Sequence, residues 1–142
     1  MIEDLRAAAA EVAGDVVLDT APGTAMRRWR TRYGFTQTWL SEHLGVRRES
    51  LSRIESGHSK PTLDVVAQFA RVMALTGSVR AYAARMEKNG GSPNYVYFRT
   101  LGKELDLPPD TVDAVAREAL ESYSAKRDAL LEGLGHEGTE RP

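Results

Sequence analysis

Two short helical patterns joined at Gly45 restrict the fold of this chain more than any other feature of its sequence. Leu40 and Leu44 recur four residues apart before the glycine, and Leu51 and Ile54 recur three residues apart after it. Both spacings place the apolar side chains on one helix face. A glycine adopts a positive φ without steric cost, as a tight turn between two helices requires. The pattern predicts two helices packed at a fixed angle through these four side chains.

The outer side of the second helix is polar and largely basic, with side chains that can match base edges in a DNA major groove: Arg48, Glu49, Ser52 and Arg53. The chain has a net charge of −1, but residues 22–60 carry +5, residues 1–21 carry −4 and residues 61–142 carry −2. A basic block between acidic flanks is typical of a local polyanion site. A solvated charged face would give the same pattern, so charge alone does not decide between them.

Helical patterns continue before the central pair of helices. Ile2, Leu5, Ala9 and Val12 have near-helical spacing, and Gly14 is predicted to end that helix. Residues 15–19 read as an extended connector or a single strand. Pro22 suits the first turn of a second helix, on which Met26, Trp29 and Tyr33 share one face. Trp29 is therefore expected in the core.

After the central pair, a helix is predicted from Thr62 to residues 76–77, and another from Ser78 to residues 89–91. Residues 92–107 are ambiguous, since residues 95–98 read as a strand by propensity. The prolines at 108 and 109 are predicted to interrupt the preceding secondary structure, and a long amphipathic helix follows them. We predict an N-terminal helix and connector (1–21), a central domain (22–75), a helical extension that dimerises (76–134) and a disordered tail (135–142).

Several classes of function are not expected. The chain has no cysteine and three histidines, which excludes disulfides and thiolate zinc sites and makes a His-rich metal site improbable. We see no nucleophile–base arrangement, phosphate-binding glycine loop or paired-carboxylate motif, so neither an enzyme nor a cofactor is expected. No apolar run approaches 18 residues and the N-terminus is acidic, which predicts no membrane span and no secretory signal. A cytoplasmic, nucleoid-associated protein is the simplest interpretation.

Residues 22–75, 38% of the chain, resemble the Cro/repressor-type helix-turn-helix family, also called the Xre family. The matching segments are Met26-Arg27-Arg28-Trp29-Arg30, Gly34-Phe35-Thr36-Gln37, Leu40-Ser41, Leu44-Gly45-Val46, Leu51-Ser52-Arg53-Ile54-Glu55-Ser56-Gly57 and Pro61. The stretches Ala21-Pro22-Gly23 and Arg28-Trp29-Arg30 also resemble a group of archaeal regulators of this type. The resemblance implies an all-α, lambda-repressor-like helix-turn-helix domain with N- and C-terminal helical extensions.

The resemblance also implies roles for individual residues. Those assigned to base reading are Arg47, Arg48, Glu49, Ser52 and Arg53, with Arg47 at the mouth of the groove. Those assigned to DNA phosphates are Gln37, Ser56, His58, Lys60, Arg27 and Arg30. Gln37 is also expected to brace the recognition helix, and the counterpart of Glu55 is structural, bonding the loop or the first helix.

Two positions depart from the family pattern. Arg47 stands where relatives have a capping Ser or Thr, and an arginine cannot accept a hydrogen bond from a backbone N–H. Either Ser50, Glu49 or water then covers the first turn, or Arg47 has been recruited for DNA. Trp39 stands where relatives have a polar residue and is predicted to point outward, against a terminal segment of the chain or a partner chain.

The function implied is sequence-specific binding of double-stranded DNA by a homodimer that regulates transcription at a two-half-site operator. The alternative is a protein-interaction module, such as an antitoxin or a basal-transcription adaptor, with secondary DNA binding.

Two apolar stripes lie outside the central domain. They either fold back on the core of the same chain or form a subunit interface, and we expect part of them to form the interface. Their residues are Ile2, Leu5, Val12, Val16, Val17, Val112, Val115, Leu120, Tyr123, Leu130 and Leu131.

Overall fold

The computed structural model describes residues 4–140, except for the side chains of residues 88, 89, 126 and 134–140. The described residues form seven α-helices: α1 (Leu5–Leu18), α2 (Pro22–Tyr33), α3 (Gln37–Leu44), α4 (Arg48–Glu55), α5 (Leu63–Asn89), α6 (Tyr95–Glu104) and α7 (Pro109–Glu140). The predicted all-α fold is confirmed, with helical extensions on both sides of the α3–α4 unit. Ile2, which we assigned to the first helix, lies outside the described residues.

Helix α5 is the central element of the core. Its 27 residues extend over about 40 Å at the ordinary rise of a helix. Phe69, Met73 and Val79 on this helix are fully buried, and α1 and α7 both pack along it. The core therefore joins the helix-turn-helix unit to both extensions.

Helix α1 does not end at Gly14 as the sequence predicted, nor do residues 15–19 form a connector or a strand. It continues to Leu18, because Val16 follows Val12 on the same face and both are buried. Burying a valine side chain contributes about 1.5–3 kcal/mol, which exceeds the roughly 1 kcal/mol that a glycine costs inside a helix. The apolar stripe therefore decides the length of this helix.

The predicted break at residues 76–77 is also wrong, since α5 passes through it without interruption. The hydroxyl of Thr76 donates to the carbonyl of Val72 within the helix at 2.7 Å. Gly77 lies against the Tyr33 hydroxyl, which a Cβ at this position would meet at 3.1 Å. Gly77 therefore allows Tyr33 of α2 to pack closely against α5 and does not end the helix. The predicted domain boundary at residue 75 falls inside α5.

Residues 95–104, ambiguous in the sequence and strand-like at their start, form helix α6. Asn94 caps this helix, its Oδ1 accepting from the backbone N–H of Tyr97 at 3.1 Å. Phe98 and Leu101 are buried three residues apart, which is a helical spacing. A single strand here would leave its backbone groups without a sheet partner, whereas a helix satisfies them locally.

Most of the two apolar stripes fold back on the core of the same chain. Leu5, Val16, Val112 and Val115 are fully buried, whereas Leu130 and Leu131 near the end of α7 stay 70% and 59% exposed. Residues of the first group therefore cannot contribute to a subunit interface without opening the core. Val17, on α1, is also exposed.

Arg80 ties the C-terminal extension to the helix-turn-helix region. Its Nη2 donates to the carbonyl of Tyr33 at the end of α2 and to Oγ of Ser122 on α7, at 2.8 and 2.7 Å. Ser122 donates to the same carbonyl. Desolvation by burial lowers the pKa of Arg80 from its ordinary value. Helices α2, α5 and α7 therefore meet at one polar junction.

Between residues 4 and 140, no helix is both long enough and apolar enough to cross a membrane. The predicted disordered tail, residues 135–142, includes the last backbone turns of α7. The side chains of residues 134–140, and residues 141–142 entirely, lie outside the described part of the chain. That assignment stays a prediction.

Candidate nucleic-acid interface

Helix α3 and the turn after it are formed by local hydrogen bonds that the sequence predicts. Oγ1 of Thr36 caps the helix by accepting from the backbone N–H of Trp39 at 3.1 Å. Gly45 ends it with a φ of 70°, in the left-handed region that favours glycine. Ser41, buried on α3, keeps its hydroxyl on the Thr38 carbonyl at 2.9 Å. The turn therefore directs the chain into α4 at a defined angle.

Helix α4 has a buried face and an exposed face, as expected. Leu51 and Ile54 are buried with Leu40 and Leu44 of α3. On the other face, Arg48, Glu49 and Arg53 are exposed, Ser52 is half-buried, and Arg47 is exposed at the start of the helix. Arg47 makes no side-chain capping bond, as its chemistry requires. The five residues assigned to base reading thus lie on one short helix or at its N-terminus.

The carboxylate of Glu55 is the hydrogen-bonding centre of this region. Its two oxygens accept from Nε and Nη2 of Arg30 on α2, both at 2.8 Å, and Oε1 also accepts from Nε2 of Gln37 on α3 at 2.9 Å. Nη1 of Arg30 donates to the Phe35 carbonyl at 2.7 Å. One carboxylate at the end of α4 therefore links α2, α3 and α4, which agrees with the structural role expected for it.

This network argues against the phosphate role assigned to Arg30. Its side chain is only 12% exposed, and its guanidinium is bonded to Glu55 and Phe35 inside the fold. Three of its five N–H hydrogens are held by these bonds, so we propose that Arg30 mainly braces the fold and is not a principal DNA contact. Gln37 at the N-terminus of α3 also keeps a spare hydrogen, because a primary amide nitrogen carries two. One brace to Glu55 leaves the second able to reach a phosphate.

The remaining residues assigned to phosphates are accessible. Ser56, His58 and Lys60 are exposed in the loop after α4, and Arg27 is exposed on α2. The start of α2 lies beside this loop, where Gly23 faces the backbone of α4. A Cβ on Gly23 would lie 1.7 Å from the Ile54 carbonyl oxygen. Only a glycine therefore permits this approach of α2 to the end of α4.

Ser50, considered from the sequence as a cover for the first turn of α4, also lies beside the candidate base-reading residues. Ser50 is exposed in the first turn of α4, next to Glu49. Ser50 precedes Ile54 by four residues and so stands at the edge of the apolar face, in the first turn of the helix. Spacing alone would not have shown that it is exposed, and Ser50 joins the candidate surface.

The two tryptophans lie against their own chain. The ring of Trp39 lies 4.5 Å from the ring of Phe35 and stacks on His43 at 4.2 Å. It therefore packs within the helix-turn-helix unit and not on a terminal segment, as we had considered. Trp29 packs at the edge of the core, with its Nε1 donating to Asp15 of α1 at 2.7 Å.

Arg28 is basic and exposed but is held by acidic groups. Asp19 accepts from the backbone N–H of Ala21 at 2.7 Å and from Nη2 of Arg28 at 3.2 Å. These two bonds, the backbone bond first, hold the pKa of Asp19 below its ordinary value. Arg28 also lies 3.9 Å from Asp15. The acidic end of α1 therefore offsets its charge, and the basic surface centres on α4.

Comparison with known proteins agrees with this geometry. Residues 23–83 match a family described as a helix-turn-helix domain. An HTH-type transcriptional regulator of Archaeoglobus fulgidus is 30% identical over 79 residues, 56% of this chain and 34% of the relative. A second one from that organism is 41% identical over 49 residues, 34% of this chain and 70% of the relative. An HTH-type transcriptional regulatory protein of Pyrococcus furiosus is 32% identical over 68 residues, 46% of this chain and 22% of the relative.

The chain thus spans about a third of the length of the first relative and about a fifth of the third. No solved structure matches it. The expected resemblance to archaeal regulators is confirmed, and the second relative is covered over most of its length. This chain therefore belongs to the helix-turn-helix family that includes these archaeal HTH-type transcriptional regulators.

Proposed function

We propose that this protein is a sequence-specific DNA-binding transcriptional regulator that acts as a dimer on a two-half-site operator. The observation that carries the proposal is the composition of α4. Its apolar side is fixed in the core, while Arg48, Glu49 and Arg53 are exposed on the other side. The relatives are all named as HTH-type transcriptional regulators, which supports DNA binding and transcriptional regulation.

In this mechanism α4 enters the major groove. An arginine donates two hydrogen bonds to O6 and N7 of guanine, and a glutamate accepts from the amino group of cytosine. Arg48 and Arg53 are suited to the first kind of contact, and Glu49 to the second. The ion pair between Arg48 and Glu49 is long, at 3.9 Å, and both side chains are mostly exposed. Both groups are therefore free to exchange this weak contact for base edges.

Contacts to phosphates would fix the position of α4 without reading sequence. Lys60, His58 and Ser56 supply donors from the loop after α4, and Arg27 supplies one from α2. Gln37 supplies its second amide hydrogen from the N-terminus of α3, where the helix dipole also favours an anion. These groups come from α2, the start of α3 and the loop after α4. The bonds of Glu55 join the three helices, and Gly23 allows α2 to approach the end of α4.

Dimerisation follows from the size of the site. One recognition helix covers a few base pairs, and two half-sites about 10–10.5 base pairs apart give operator affinity. Of the apolar residues reserved for subunit contact, Val17, Leu130 and Leu131 remain exposed. We place the contact on the last two of these, because they are adjacent, apolar and exposed on the C-terminal stripe that we expect to take part in the interface.

Selection from random oligonucleotides tests base reading. The wild type should enrich one motif, and Arg53→Ala should lose preference at one or two base pairs at a cost of about 1–3 kcal/mol. Arg85→Ala, an exposed arginine on α5, is the matched control and should leave the motif intact. An unchanged motif with Arg53→Ala would contradict the assignment. Failure of the wild type to enrich any motif would favour the protein-interaction module.

Salt titration tests phosphate contacts separately. Lys60→Ala should weaken binding to all sequences and flatten the log–log salt dependence by about 1. Gln37→Ala, a neutral change, should weaken binding with little change of slope. A slope that Lys60→Ala leaves intact would remove that residue from the interface.

A further inference from the structure

Ser56 and His58 in the loop after α4 are joined by a close hydrogen bond. Oγ of Ser56 lies 2.7 Å from Nδ1 of His58 and 3.2 Å from the carbonyl oxygen of Arg53. That carbonyl also accepts the backbone N–H groups of His58, at 2.9 Å, and of Ser59, at 3.2 Å. The serine hydroxyl therefore lies between a ring nitrogen and a carbonyl that already has two donors.

The accepting groups determine where the hydroxyl hydrogen points. The Arg53 carbonyl already accepts two backbone N–H groups, so a third bond to it, at 3.2 Å, is the weaker option for the hydroxyl hydrogen. The contact to Nδ1 is also the shorter one. With a neutral imidazole, the Ser56 hydroxyl therefore donates to Nδ1, and the ring hydrogen is on Nε2.

Protonation of the ring reverses this bond without moving the ring. Nδ1–H of the imidazolium then donates to Oγ, and the hydroxyl hydrogen turns to the Arg53 carbonyl 3.2 Å away. Nε2 carries a hydrogen in both states. Because Nδ1 is held by Ser56, Nε2 is the nitrogen left for an external acceptor.

We propose that Ser56 is a positioning residue that orients His58, so that Nε2–H is presented to a DNA phosphate whether the ring is neutral or charged. This inference rests on the proposed function, in which the loop lies on the DNA backbone. It changes one part of that proposal, since Ser56 then acts through His58 and is not an independent phosphate contact. A phosphate offers only acceptors, so an Nε2 without a hydrogen would repel it.

A double-mutant cycle on the full chain tests the coupling, with the selected operator as the probe. Ser56→Ala should weaken binding roughly threefold to tenfold, the size of one ordinary hydrogen bond, and His58→Ala about tenfold. In the His58→Ala background, Ser56→Ala should have no further effect. Ser56→Thr keeps a hydroxyl at this position and should retain most of the affinity. Equal losses from Ser56→Ala with and without His58 would overturn the inference.

The tautomer can be measured without DNA. The ¹⁵N chemical shifts of the neutral His58 ring should show the Nε2–H form in the wild type and a mixture of both forms in Ser56→Ala. A wild-type ring with its hydrogen on Nδ1 would overturn the inference even if DNA binding is normal. If the wild type binds no DNA at all, the proposed function fails, and the ring measurement still shows whether Ser56 sets the tautomer of His58. The ring measurement separates these two failures.

Discussion

Replacing Arg30 by methionine should destabilise the protein more than any exposed substitution on α2. Arg30→Met keeps the length of the side chain but leaves the carboxylate of Glu55, 2% exposed, with one donor of three, the amide of Gln37. The carbonyl of Phe35 loses a donor as well. Removing one partner of a buried ion pair costs about 3–5 kcal/mol, because the other charge stays buried without compensation.

That loss is a large part of the total, since domains are typically stable by about 5–15 kcal/mol. Two matched variants show whether the uncompensated charge is its cause. Arg27→Met changes an exposed arginine one turn earlier on α2, and should alter the stability by no more than about 0.5 kcal/mol. The double variant Arg30→Met, Glu55→Met removes both charges and should recover much of the loss, since apolar replacements of buried pairs are often neutral.

Urea unfolding of the full chain, followed by circular dichroism, gives the free energies of unfolding for the wild type and the three variants. The slopes with denaturant should agree before the values are compared. A loss below about 1 kcal/mol in Arg30→Met would refute the reasoning, because a buried carboxylate without its cation would then cost no more than an exposed one. A double variant that is less stable than Arg30→Met would refute it too, because the apolar pair would then pack worse than the unpaired carboxylate.

Three further outcomes are expected. Gly23→Ala should destabilise the fold by several kcal/mol in the same unfolding assay, because its Cβ would collide with the backbone of α4. Gly14→Ala has open space around its Cβ and should stabilise α1 by about 0.5–1 kcal/mol. Equal effects of the two substitutions would contradict the close approach of α2 to α4. Leu130→Glu with Leu131→Glu should shift the protein from dimer to monomer in sedimentation without changing its unfolding as a monomer, and a wild type that sediments as a monomer would refute the subunit contact. Hydrogen bonds from Arg127 and Tyr123 of α7 lower the pKa of Glu87. The stability that Glu87 contributes is therefore fully present above the unfolded pKa near 4.5 and is lost as the pH falls through the lower folded pKa. Glu87→Gln should reduce the loss of unfolding free energy on acidification, and an unchanged loss would contradict this contribution.

The local elements of the candidate interface could be read from the sequence because their causes are local. Thr36 caps α3 and Gly45 ends it through bonds within a few residues. The spacing of Leu51 and Ile54 defines the inner face of α4 whatever packs against it. The absence of a capping side chain at Arg47 follows from the chemistry of that residue alone.

The errors arose where a distant part of the chain outweighs a local signal. Gly14 and Gly77 read as helix ends, but the helices continue because the next turn finds apolar contacts in the core. Residues 95–98 favour a strand by propensity, yet they form a helix that buries Phe98. In each case the burial of apolar surface exceeds a preference of about 1 kcal/mol or less.

The sequence by itself determined the helix-turn-helix unit, the exposed basic face of α4 and the membership of the family. The tertiary structure alone decided which basic residues of α2 are available. Arg27, Arg28 and Arg30 are alike in the sequence, but one is exposed, one is offset by the acidic end of α1, and one is bonded to Glu55. The partner of Arg30, Glu55, is 25 residues away in the sequence. Only the packing of α2 against α4 brings the two side chains together, and the local spacing of residues does not predict such a contact.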